Sequence, residues 1–190
     1  MAMPQPRMDW TWDRWEALPE NDGNRYEIID GELLVSASPS WTHQRVLALL
    51  FAEIFPYLMR LGNHEILFAP GGVRFSDRRV LQPDLTAWRF SGDGAGAAVV
   101  GDTRTLILTV EALSPSTARY DRYKKRPVFQ QHAVPEYWIV DADARFVERW
   151  RPEDADPEVL VEELTWQPVA GAPSLVIDLP HLFRGAHLEL

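Results

Sequence analysis

Cysteine is absent from this 190-residue chain. That removes disulfides, a thiolate nucleophile and any zinc–sulfur centre. It also fits a reducing cytosol, the compartment expected here. Long apolar runs are missing too. No window approaches the ~20 residues of a membrane-spanning helix, so no membrane partner is expected. The opening Met1-Ala2-Met3-Pro4-Gln5-Pro6-Arg7 is too short and polar to read as a signal peptide. Positive charge is in the minority, with 19 Lys and Arg against 28 Asp and Glu and a net charge of −9. That balance argues against a dedicated nucleic-acid coat protein, which is usually basic, and leaves room for an enzyme with a local basic patch. There is no Gly-rich phosphate loop, no Gly-x-Ser-x-Gly elbow and no dinucleotide-binding fingerprint. His43, His64, His132, His181 and His187 show no metal-ligand spacing.

What is present is an ordinary globular composition, 46% hydrophobic and 25% charged. The length suits one domain, residues 1–190, able to bury a proper core. Eight tryptophans are many for this length. Trp12, Trp15 and Trp41 read as packing residues rather than base-stacking platforms. No repeat, linker or low-complexity block divides the chain.

The pattern of residues predicts a mixed α/β domain. A short helix, capped by Thr11, is expected over 12–18. Tyr26–Ile29 and Glu32–Val35 flank Asp30-Gly31, a tight-hairpin signal. Apolar residues at helical spacing mark 41–61, with Pro56 expected to kink or split the helix. Strands are expected at 65–69, 73–76 and 80–88, and a flexible Gly/Ala-rich loop at 91–97. The most apolar strand, 105–113, should be central. Ser114-Pro115-Ser116-Thr117 signals a helix towards Gln131, interrupted by Pro127. Further strands are expected at 136–141, 145–151, 158–164 and 174–177.

Two acids end two apolar segments. Asp84 follows Val80-Leu81-Gln82-Pro83, and Glu111 closes Leu106-Ile107-Leu108-Thr109-Val110. A carboxylate at the end of a core strand is costly unless it is paired. Lys125 follows in the basic segment Arg119–Arg126. Two carboxylates on neighbouring strands can share one Mg²⁺ or Mn²⁺, since paired strands lie ~4.8 Å apart. A lysine beside such an ion can orient water or stabilise charge on a phosphate. The plainer alternatives stay open at this stage. Asp84 suits a turn, and Glu111 a structural salt bridge. Lys125 suits an exposed pair with Asp121 four positions away, and His43 a helix start without chemistry.

The ordered stretches Tyr26–Leu33, Ser38–Gln44, Gln82–Leu85, Val110–Thr117, Asp121–Lys125 and Glu136–Asp141 together span most of the chain. This set resembles the PD-(D/E)XK nuclease superfamily, and more closely its bacterial Uma-type restriction endonuclease family. The resemblance implies a restriction-endonuclease-like α/β core, a mixed twisted sheet flanked by helices with extra N- and C-terminal strands. It implies a Mg²⁺- or Mn²⁺-dependent DNA endonuclease, with Asp84 and Glu111 as metal ligands. The superfamily lysine usually lies two residues after the glutamate, but Leu113 stands there. In this branch the lysine is expected on the following helix, which points to Lys125, or to Lys124 if Pro127 disturbs that helix. Glu32 and His43 occupy N-terminal motifs and are candidate supporting residues. Arg119, Arg122 and Arg126 are candidate phosphate contacts. A homodimer would suit cutting both strands of a duplex. The alternative is a catalytically inactive module on the same fold that binds nucleic acid or a protein partner.

Overall fold

The fold comes from a computed structural model that describes residues 9–19, 22–37, 39–90 and 103–189. The loop expected at 91–97 lies outside the described residues.

Helix α1 (Trp12–Glu16) begins after Thr11, whose hydroxyl makes no capping hydrogen bond, contrary to expectation. Strands β1 (Asn24–Ile29) and β2 (Glu32–Ala37) form the expected hairpin. Asp30 and Gly31, both at positive φ (53° and 85°), make its two-residue turn. Helix α2 (Trp41–Leu61) starts at Ser40, whose hydroxyl accepts from the His43 N–H. Pro56 neither splits nor ends it. Pro56 and Ala52, whose carbonyl loses its donor, both lie on the exposed side of the helix.

Strands β3 (His64–Phe68), β4 (Val73–Ser76), β5 (Arg79–Leu81) and β6 (Leu85–Arg89) follow. The strand expected over 80–88 is therefore two strands, broken at Gln82-Pro83-Asp84. Pro83 has no N–H to give a ladder, and the Gln82 N–H goes to the Glu27 carboxylate instead, at 2.7 Å. The break sends β5 into a four-stranded sheet, order β2-β1-β5-β4. It sends β6 into a larger one.

That larger sheet holds β7 (Leu106–Ala112), β8 (Tyr137–Asp141), β9 (Phe146–Trp150) and β10 (Glu158–Leu160), in order β10-β9-β8-β7-β6-β3. It is mixed. The β7–β8 pair is parallel and its other pairs are antiparallel. Strand β7 is central and buried throughout, as its apolar run predicts. The parallel pair needs a crossover. It is supplied by α3 (Ala118–Tyr120), a π-helical turn (Asp121–Lys125) and α4 (Arg126–Gln131).

The tail differs from expectation. The strand expected at 158–164 divides into β10 and β11 (Glu163–Trp166), and β11 pairs with β12 (Leu175–Asp178). An unexpected helix, α5 (Leu179–Ala186), follows, with Asp178 accepting from the His181 N–H at its start. Pro180 in its first turn is compatible with a helix start.

Two apolar clusters sandwich the larger sheet. On one face Leu50, Ile54 and Leu58 of α2 and Leu182 and Phe183 of α5 meet Leu85, Leu108, Val110, Trp138 and Val140. On the other, Val128 and Phe129 of α4 meet Tyr137, Ile139, Ile29 and Leu81. Each such side chain contributes about 1.5–3 kcal/mol when fully buried. Trp12 and Trp15 do pack, with ring centroids 5.1 Å apart and the Trp15 indole N–H donated to the Tyr26 carbonyl. Trp41 does not; it is 91% exposed. Among the described residues, no helix is long and apolar enough to cross a membrane.

Candidate active site

Alternation along β7 sends Val110 and Ala112 to the α2 face, so Thr109 and Glu111 point to the α4 face. Across the ladder Leu85 pairs with Val110. One step beyond that pair, Asp84 comes alongside Glu111 and Ala112, and its Oδ2 accepts from the Ala112 N–H at 2.8 Å. The strand break at Pro83 thus delivers one acid beside the other.

Lys125 arrives from the crossover. The Arg126 N–H reaches back to the Asp121 carbonyl, one residue further than in an α-helix. This wider turn ends at Lys125, and Pro127 falls in the first turn of α4. The Arg122 carbonyl, released from that N–H, accepts from Arg126 Nε at 3.0 Å. Proline therefore begins a new helical segment, and Lys125 remains aimed inward. Its Nζ lies 2.9 Å from Glu111 Oε1, 2.8 Å from Glu27 Oε2 and 3.1 Å from Asp121 Oδ1. The Asp121–Lys125 pair is buried, with 1% and 3% of the side chains exposed, so the exposed-pair alternative does not hold. Lys124 is half exposed and lies 3.7 Å from Glu32.

Asp84 has two further side-chain neighbours, Arg25 and His43. Arg25 Nη1 is 2.6 Å from Oδ1, and His43 Nε2 is 3.0 Å from Oδ2. The same Arg25 nitrogen is 4.0 Å from Glu111 Oε2, so one guanidinium bridges both acids. His43 Nδ1 is buried without a hydrogen-bond partner among the described residues.

Charge is out of balance here. Glu27, Asp84, Glu111 and Asp121 are four buried carboxylates, and Arg25 and Lys125 are the two cations touching them. If all four ionise they outnumber these two cations, with His43 the further group beside Asp84 able to carry positive charge. Burial raises the Asp84 pKa, but the His43 hydrogen bond and the Arg25 charge outweigh it, leaving the value at about 2. For Glu111, burial dominates and Asp84, Asp121 and Glu27 add to it. Its pKa lies well above the usual carboxylate range, despite Lys125. Asp121 is raised for the same first reason. Burial works against the Lys125 ammonium, yet its three carboxylates push its pKa well above the ordinary value, so it is firmly protonated.

Of the residues expected from the sequence, the fold therefore brings together Asp84, Glu111, Lys125 and His43. Glu32 stands apart, paired with Lys124. Arg122 is engaged by Glu148 at 2.7 Å, and the Arg126 guanidinium lies over the Trp150 ring at 4.3 Å. Arg119 is exposed. Sequence reasoning did not single out Arg25, Glu27 or Asp121 as site residues. One signal was available: Arg25 and Glu27, two apart on a strand, share a face, and both are charged next to a hydrophobic hairpin.

Among the described residues, no group of three or more His, Cys, Asp or Glu side chains is arranged to hold a metal ion. Mg²⁺ needs fewer, since it commonly takes one or two carboxylates plus water and substrate phosphate oxygens. The Asp84–Glu111 pair offers hard oxygen donors in a cluster with excess negative charge. The donor set fits such an ion once Arg25 moves aside.

A family model described as "Uma2: Putative restriction endonuclease" matches residues 12–180. The crystal structure of a protein from Anabaena variabilis, titled a putative nuclease belonging to DUF820, superposes with a TM-score of 0.75. The two share 18% sequence identity, and the match covers 93% of this chain and 98% of that one. This likeness establishes the fold, a mixed α/β core common to the two proteins. No curated protein matches the chain.

Proposed function

The chain belongs to the Uma2 family, and on that footing we propose that it is a divalent-metal-dependent endonuclease that hydrolyses DNA phosphodiester bonds. One observation carries the reading: Asp84, just before β6, comes alongside Glu111 on β7, with the Lys125 ammonium 2.9 Å from Glu111. Asp84 and Glu111 would hold Mg²⁺ or Mn²⁺. When bound, such an ion neutralises the scissile phosphate and acidifies an attacking water.

The chain's own residues do the rest. Lys125 stays protonated, and with its N–H donors taken by Glu27, Glu111 and Asp121 it would act through its charge on the negative charge developing at the phosphate. Glu27 and Asp121 hold that ammonium in place. His43, on α2, steadies Asp84 by its Nε2 contact. Arg119 and Lys124, both exposed beside the crossover, would meet the DNA backbone. Arg122 and Arg126 would act behind them, holding the crossover to β9. Two sites related by a two-fold axis would cut both strands, so a homodimer belongs to the same reading.

The test is incubation of plasmid and single-stranded DNA with Mg²⁺ or Mn²⁺, using the wild type, Asp84→Ala and Glu111→Ala. Cleavage by the wild type alone supports the reading, and equal cleavage by all three rejects the site. DNA binding without cleavage would favour the catalytically inactive module. The Arg25 bridge is the observation on that side, because it already neutralises the acids in part.

A further inference from the structure

Every acid in the cluster is shut away from solvent. Glu27, Asp84, Glu111 and Asp121 are at most 4% exposed, and Lys125 is 2% exposed. Arg25 is the exception, with 21% of its side chain accessible while its Nη1 touches Asp84 and approaches Glu111. Its side chain is therefore both in contact with the acid pair and partly open to solvent. It also occupies the charge position that a divalent ion would take. Lys125 holds Glu111 Oε1, so a divalent ion would compete with Arg25 for Asp84 Oδ1 and Glu111 Oε2, where like charges a few ångströms apart repel strongly at low dielectric.

We propose that Arg25 is an exchanging ligand of this site: it is the counter-ion of Asp84 and Glu111 before the divalent ion binds, and the phosphate contact of the DNA afterwards. The inference rests on the nuclease reading above and assigns it a residue. Arg25 sits on β1 with its side chain on the site face, beside Glu27. Once released from the carboxylates, it remains tethered at the mouth of the site. The anion nearest to hand is then the scissile phosphate, and a guanidinium can take two phosphate oxygens at once. The exchange moves no covalent bond. One ion pair, Arg25–carboxylate, is replaced by Arg25–phosphate.

This exchange predicts effects of opposite sign from one substitution. In Arg25→Gln, Mn²⁺ measured by titration calorimetry should bind about ten-fold more tightly or better, because its competitor is gone. Binding of a short DNA duplex in Ca²⁺ should weaken by about ten-fold, because a phosphate contact is gone. Mn²⁺ binding that is unchanged or weaker overturns the proposal, as does tighter Mn²⁺ binding with unchanged DNA affinity. If neither protein binds Mn²⁺, the metal-dependent reading falls with it. If both bind Mn²⁺ equally, only the Arg25 exchange falls.

A wild-type measurement guards against a variant that fails to fold. Mg²⁺ titrated into ¹⁵N-arginine-labelled protein should shift the Arg25 Nε signal saturably. An Arg25 signal that stays put while backbone signals around Asp84 respond contradicts the exchange.

Discussion

The Lys125 ammonium lies 2.9 Å from Glu111 Oε1, although fourteen positions separate them in the chain. It is simultaneously the partner of Glu27 and Asp121. Removing it leaves three buried carboxylates facing one another. Lys125→Met should abolish cleavage and cost about 3–5 kcal/mol in urea denaturation, the range for breaking a buried pair from one side. Lys124→Met should stay within about 0.5 kcal/mol of the wild type, since its pair with Glu32 is half exposed and 3.7 Å long. Equal losses in the two variants would contradict the assignment of Lys125.

Glu111 is held at a cost to stability. Burial, then Asp84, Asp121 and Glu27, raise its pKa well above 4.5 in the folded state. A carboxyl that binds its proton more tightly folded than unfolded favours folding below the unfolded value. That contribution is lost as pH rises through the folded value. Without metal, Glu111→Gln should therefore be more stable than the wild type at neutral pH by about 1 kcal/mol. Its melting temperature should rise by about 2–4 °C. The difference should shrink as pH falls towards 4.5, the ordinary value for this carboxyl. Thermal melts across pH check this, and a destabilised Glu111→Gln would contradict it.

Asp84 behaves in the opposite sense. Its pKa falls from 3.8 to about 2, because the His43 hydrogen bond and the Arg25 charge outweigh burial. Its stabilisation is present above the unfolded value and disappears as pH falls through the folded one. The amount is about 2 kcal/mol at 1.4 kcal/mol per unit. Asp84→Asn should lack that acid dependence. Urea midpoints between pH 5 and 2 should fall less steeply in the variant than in the wild type.

The packing of α1 has its own test. A Cβ at Gly72 would come within 2.8 Å of the Trp15 ring, which is stacked on Trp12. Gly72→Ala should cost about 1–3 kcal/mol through overpacking. The companion Gly71→Ala, whose nearest contact would be an ordinary 3.7 Å, should cost much less on this account. Guanidinium melts of the pair distinguish a steric clash from a general intolerance of this turn.

Much of this arrangement is legible in the sequence because period and punctuation agree. The Asp-Gly hairpin and the buried run of β7 form as their patterns require, and α2 follows its apolar period over 21 residues, unsplit by Pro56. Asp84 and Glu111 are visible as costly charges at the ends of apolar segments, and Lys125 through the resemblance that places a lysine on the following helix. What is not visible depends on tertiary pairing. The break between β5 and β6 depends on the Glu27 carboxylate taking the Gln82 N–H across 55 positions. Arg25 reaches its acid across 59. Trp41 carries the residue type of a packing side chain, but the α2 face it occupies is left uncovered at that end. Helix α5 carried a local signal, Asp178 followed by Pro180, masked by its short length and the strands before it.

The account turns on whether the acid pair takes a divalent ion. Anomalous diffraction from crystals soaked in Mn²⁺ addresses this directly, with Glu111→Gln crystals soaked in parallel. The expected result is a manganese peak bound by the carboxylates of Asp84 and Glu111 in the wild type, lost or strongly reduced in Glu111→Gln. Wild-type crystals with no peak at that pair, under Mn²⁺ concentrations that support DNA cleavage, would contradict the account.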